Sequence, residues 1–174
     1  MEILNYFSQK TKKEIYRYAI VILLAVIIWI LQVSVLSNFC YFDITPNLML
    51  LTTVFLGLTC GPYMGIVFGL FISFFVSSII FDHVFFISYP IIGLLTGILA
   101  KYSFSDEMIY FTFLCILFII PTEYLNGMQY HLLDKNSFIE RLIHASSFSI
   151  LINALIAPVI YFIFSFFTNK LNLR

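Results

Sequence analysis

From Pro46 to Phe81 the sequence carries no charged side chain. This run is longer than the about 20 residues needed to cross a bilayer core of about 30 Å, and Gly61-Pro62 near its centre is a turn signal. It therefore reads as two helices, a short one from Asn47 to Cys60 and a longer one from Pro62 to Phe81. Proline then occupies the first helical position of the second, where its missing N–H is no loss. The short helix sits deep or leans on its neighbours.

The same pattern extends along the chain. Tyr18 to Leu36 is an uncharged span closed by Ser37-Asn38. No small-x-small cleavage site follows it and it exceeds a leader's usual apolar core, so it is expected to be retained. Asp82-His83 marks a boundary before a fourth span from Val84 to Ala100, which ends at Lys101. Asp106 and Glu107 introduce a fifth, Met108 to about Tyr124, with Pro121 near its far end, and a sixth runs from about Leu142 to Phe167. Between these two, Asn126 to Arg141 forms the largest polar loop, expected to lie along the membrane interface with Leu132, Leu133, Phe138 and Ile139 among its charges. Ser137-Phe138-Ile139-Glu140 fits a capping box, an earlier start for the last helix, and Pro158 offers it a kink.

Composition fits the same solvent. Of the residues, 61% are hydrophobic and 10% charged, too few ionisable groups to coat a water-facing globule of this size. The aromatic share, 21 Phe and 11 Tyr, suits a lipid-facing surface with interfacial belts. A formal net charge of zero argues against nucleic acid, which needs a clear Lys/Arg excess.

Positive charge orients the spans. With six crossings, Lys10, Lys12, Lys13, Arg17, Lys101, Lys170 and Arg174 share one side, and only Lys135 and Arg141 the other. The positive-inside rule then places both termini in the cytoplasm. The expected architecture is all-α, a polytopic bundle of six transmembrane helices over residues 18–167. A basic segment (1–17), carrying Ile3, Leu4 and Phe7, precedes it, and a short cytoplasmic tail (168–174) follows. The basic segment serves first as a topogenic signal touching anionic lipid and second as a docking point for a cytoplasmic partner.

Polar and small residues inside the spans are the candidates for function. Gly57, Gly61, Gly65 and Gly69 recur every four positions, and so do Gly93 and Gly97. Such stripes let helix backbones approach closely; they are expected first to pack this chain's own bundle and second to meet a partner helix. The span centres are almost bare of ionisable groups, which mark transport or proton relay when present. Glu123 lies near the outer end of the fifth span, placed to reach water by a short snorkel or to anchor a partner, and His144 at the start of the sixth has the same two readings. Asn153 lies deeper and must bond a neighbouring helix, for about 1 kcal/mol or less.

Cys40, Cys60 and Cys115 have no CxxC spacing, and His83, His131 and His144 stand far apart. No HExxH, GxSxG or phosphate-loop pattern occurs. The expectation is a membrane protein without catalytic residues, metal or cofactor.

The order of features resembles a known family. Leu31-Gln32-Val33-Ser34-Val35-Leu36-Ser37, then Phe42-Asp43-Ile44-Thr45-Pro46-Asn47-Leu48, is similar to the first two spans of the rod shape-determining protein MreD family. Leu56-Gly57-Leu58, Gly61-Pro62-Tyr63-Met64-Gly65, Gly69, and Tyr89-Pro90-Ile91-Ile92-Gly93 with Gly97 look like its second to fourth spans. The resemblance covers roughly Leu31 to Ala100, and Pro46-Asn47-Leu48 is its most specific piece. Family members often carry an aspartate late in the third span; here Ser73 to Ser77 stands in that region and the nearest carboxylate is Asp82. The resemblance implies a non-catalytic subunit of the bacterial elongation machinery. Its partners would be an MreC-like protein and, directly or indirectly, MreB, RodA and a class B transpeptidase. The alternative of similar size is the substrate-capture component of an energy-coupling-factor vitamin transporter. Its outer pocket would draw on Glu123, Asn126, Gln129 and His131, but its helix-docking spacing is missing from the first span.

Overall fold

The computed structural model describes residues 15–16, 19–35, 46–80, 83–102, 107–133 and 138–170, and among them all regular structure is helical. Helix α1 (residues 19–30) widens to a π-helical turn over Leu31–Val35. It is followed by α2 (Leu48–Cys60), α3 (Pro62–Ile80), α4 (His83–Leu99) with a closing 3₁₀ turn at Ala100–Tyr102, α5 (Glu107–Leu133) and α6 (Phe138–Lys170).

The break between α2 and α3 has a local cause. Gly61 adopts φ 91°, ψ 174° and its N–H closes α2 on Gly57 O at 3.2 Å. That region of backbone space is essentially reserved for glycine, and Pro62 then starts α3 in the position that tolerates it. At the other end of α2, Asn47 is the N-cap, its side-chain oxygen accepting from Leu50 N at 3.0 Å.

Helix α2 is the axis of the bundle. Every residue from Met49 to Gly57 is buried, so it shows no polar face, as a helix enclosed by others requires. It packs against α3, α4, α5 and α6, while α3 pairs most extensively with α4 and α5 with α6. Helix α1 joins through Val21, Ala25 and Ile28, and its Trp29 ring stacks on Phe75 of α3 at 5.2 Å. Hydroxyls inside the bundle close on their own helices: Thr52 on Leu48 O, Thr53 on Met49 O and Thr96 on Ile92 O, at 2.7 to 2.9 Å. This satisfies them where water is absent.

The outside of the bundle is apolar. Leu151, Leu155, Val159, Phe162 and Phe166 form an exposed row on α6, with Phe162 76% exposed. Ile109, Phe113, Leu117 and Ile120 do the same on α5. Among the described side chains only Lys101, Glu107 and Glu123 are charged. By length and composition, α5 (over Glu107–Tyr124) and α6 (over Ser147–Phe166) can cross a membrane. The apolar stretches Ala19–Ser34, Leu48–Cys60, Pro62–Ser77 and Ile87–Tyr102 are shorter.

One expectation is corrected. Residues 126–133 belong to α5 and 138–141 to α6, so the anticipated interfacial loop is largely two helix extensions. The end of an apolar window is not the end of a helix. Once nucleated, a helix gains one backbone bond per residue added, and Met128, Gln129, Leu132 and Leu133 are good helix formers. Ser137 of the capping box lies outside the described residues, as do most of the basic N-terminal segment, Phe42 to Thr45, Asp82 and Asp106.

Candidate functional site: a polar junction and a glycine seam

Asn47, standing immediately before α2, bonds directly to α4 and α6. Its backbone N–H donates to Asn153 Oδ1 of α6 at 2.8 Å, and its side-chain amide donates to the Tyr89 hydroxyl of α4 at 3.3 Å. Gln32, on the π turn of α1, grips the residues on either side. Its Nε2 donates to Pro46 O at 3.0 Å and its Oε1 accepts from Leu48 N at 2.9 Å. Asn153 in turn donates to Ser149 O at 2.8 Å, and the Ser149 hydroxyl donates to Glu123 Oε1 of α5 at 2.7 Å. At the start of α2 the N–H groups of Asn47, Leu48 and Leu50 thus meet side-chain acceptors, the kind of partner a helix end in an apolar environment requires.

The glycine residues divide by role. Gly57, Gly65 and Gly93 meet where α2, α3 and α4 cross. A Cβ on Gly93 would overlap the Gly65 carbonyl, and one on Gly65 the Gly93 carbonyl. A Cβ on Gly57 would strike the Thr96 hydroxyl, and one on Gly97 the Pro62 backbone. On Gly69 it would fall 2.6 Å from Tyr89 O. These five glycines therefore bring helices of this one chain into backbone contact. Gly61 is different: nothing lies within 4 Å of its Cβ position, and its role is the turn.

The polar candidates separate in the same way. Asn153 is fully buried and bonded across to Asn47, as a deep amide requires. Glu123 is half-buried and accepts a hydrogen bond from the Ser149 hydroxyl one helix away. His144 falls in α6, its side chain outside the described ones. Pro46-Asn47-Leu48 is the meeting point of the junction. Sequence reasoning did not single out Gln32, Tyr89 or Ser149 as site residues; a lone polar side chain in an otherwise apolar span is the signal each carries.

A second polar contact lies at the opposite end, where Tyr161 OH donates to Glu107 Oε2 at 2.7 Å and Tyr110 OH to Leu99 O at 2.9 Å. Between the two ends, Phe55 of α2 meets Phe111, Tyr161 and Phe164 with ring centroids 5.5 to 6.0 Å apart. Among the described residues no group of three or more His, Cys, Asp or Glu side chains is placed to hold a metal ion. No family model, curated protein or solved structure matches the chain.

Proposed function

We propose that this chain is a six-span membrane protein of the bacterial plasma membrane, both termini in the cytoplasm. In this reading it is a non-catalytic subunit of the cell-elongation assembly of the MreD type. The observation that carries the reading is the junction at Pro46-Asn47-Leu48. The segment most specific to the resemblance is also the one on which Gln32, Tyr89 and Asn153 converge. Its polar groups are engaged in holding helices together, which suits an adaptor that presents helix faces to partners.

The membrane part of the proposal draws on the surface. Each large apolar side chain in the exposed α6 row would be disfavoured in water by about 1.5–3 kcal/mol relative to burial, and lipid removes that cost. Tyr63 and Tyr102, both exposed, lie at the same end of the bundle as Lys101, in the manner of an interfacial belt. The shorter helices are compatible with crossing. At 13 residues, α2 is about 20 Å long, and its start is capped by Asn47 and Gln32, so it can end below the bilayer surface.

Purification from the native host in mild detergent, followed by mass spectrometry, tests the assignment. An MreC-like protein is expected to co-purify, and depletion is expected to widen or round the cells. Normal shape after depletion, together with a tightly retained vitamin, would replace this reading with the transporter subunit.

A further inference from the structure

We infer that Glu123, on the α5–α6 surface, seats a phospholipid whose headgroup ends in a primary ammonium, its acyl chains lying along the exposed apolar side chains toward the middle of the bundle. The site rests on the membrane reading proposed above and not on which assembly the protein joins.

Glu123 stands at headgroup depth. The apolar window of α5 runs from Glu107 to Tyr124, so the carboxylates of Glu107 and Glu123 lie about 24 Å apart along the axis at about 1.5 Å per residue. That is close to the two faces of a hydrocarbon core of about 30 Å. Tyr124, next to Glu123, is exposed, the placement of an interfacial aromatic. Toward the centre the surface is apolar: Ile120, Leu117 and Phe113 on α5 and Leu151 and Leu155 on α6 are all exposed. Ser149 bonds Glu123 and Tyr161 bonds Glu107, so α6 runs antiparallel to α5 and both rows lead away from the same carboxylate.

The carboxylate is oriented and keeps acceptor capacity. The buried Ser149 hydroxyl donates to Oε1 at 2.7 Å, which fixes the group without supplying a cation, and a carboxylate offers about four lone-pair sites. Glu123 is half-buried at an apolar surface, whereas Glu107 is exposed. The effective dielectric around Glu123 is therefore lower, and a cation beside it interacts more strongly. A primary ammonium brings positive charge and three N–H donors. A choline headgroup brings the charge without an N–H, and a phosphoglycerol headgroup is repelled. On this face a lipid fits better than a basic helix of another protein. The exposed rows are bulky throughout, with none of the small residues that let a second helix approach closely, and acyl chains conform to such a surface.

Native mass spectrometry tests the site, on the full chain in detergent with equimolar phosphatidylethanolamine, phosphatidylcholine and phosphatidylglycerol of identical acyl chains. The first lipid retained is expected to be phosphatidylethanolamine, about fivefold over phosphatidylcholine, the scale of one charge near a membrane surface. Glu123→Gln keeps an oxygen for Ser149 and removes the charge, and is expected to abolish the preference; Glu107→Gln is expected to keep it. Lipid retention by the unsubstituted protein without preference for phosphatidylethanolamine would overturn the site with no variant needed. That result would leave the membrane reading standing and a basic partner helix as the ligand of Glu123. A preference that survives Glu123→Gln, or disappears in Glu107→Gln, would overturn the site too. A chain that retains no lipid of any class would overturn the site and the membrane reading together.

Discussion

The backbone N–H of Asn47 donates to the side-chain oxygen of Asn153 at 2.8 Å, across 106 residues of sequence. The bond ties the start of the central helix to the last helix of the chain. Asn153 is fully buried, and Asn47 at the helix start is half-buried.

Replacing Asn153 by alanine leaves the Asn47 N–H without its acceptor. Stranding a donor packed against a buried partner costs about 1–3 kcal/mol, more than the roughly 0.6 kcal/mol average for interhelical bonds in lipid, because here the orphan is a backbone group at a helix start. Unfolding in mixed micelles of increasing denaturing-detergent fraction is expected to show that loss. A change below about 0.5 kcal/mol would mean the junction is held by its other bonds alone.

The glycine seam makes a second, stronger expectation. Gly93→Ala forces a Cβ onto the Gly65 carbonyl, and neither atom is a side chain that can turn away. Overpacking of this kind costs about 1–3 kcal/mol. Its exposed neighbour Leu94 serves as the control, and Leu94→Ala is expected to stay within about 0.5 kcal/mol in the same assay.

At the opposite end, Tyr161→Phe keeps the ring against Phe55 and Phe111 and removes the hydroxyl that bonds Glu107. Glu107 is exposed, so its carboxylate finds water when the hydroxyl leaves. The expected loss is about 1 kcal/mol or less, visibly smaller than for Asn153→Ala. Equal losses would contradict the contrast between the buried Asn153 and the exposed Glu107.

The helix boundaries most open to sequence reasoning were those set by backbone chemistry. Gly61-Pro62 divided an uncharged run, and the structure breaks there because Gly61 takes φ 91°. The glycine spacing marked the crossing of α2, α3 and α4 for a similar reason: absence of a side chain is visible in sequence. Two things were not visible. Charges between Asn126 and Arg141 suggest a loop, yet helix continues through most of it, since the end of an apolar pattern does not end a hydrogen-bond ladder. The junction was also hidden, because Gln32, Tyr89 and Ser149 come from three separate helices and their meeting is a property of packing, not of periodicity.

The crossing number is tested most directly by single-cysteine accessibility from the two faces of the membrane, at positions 101 and 135 of an otherwise cysteine-free protein. Six crossings place the residue after α4 in the cytoplasm and the residue between α5 and α6 outside it, so a membrane-impermeant maleimide added to intact cells is predicted to label position 135 and spare 101. Labelling of both from the same side would contradict a bundle in which α5 traverses the bilayer.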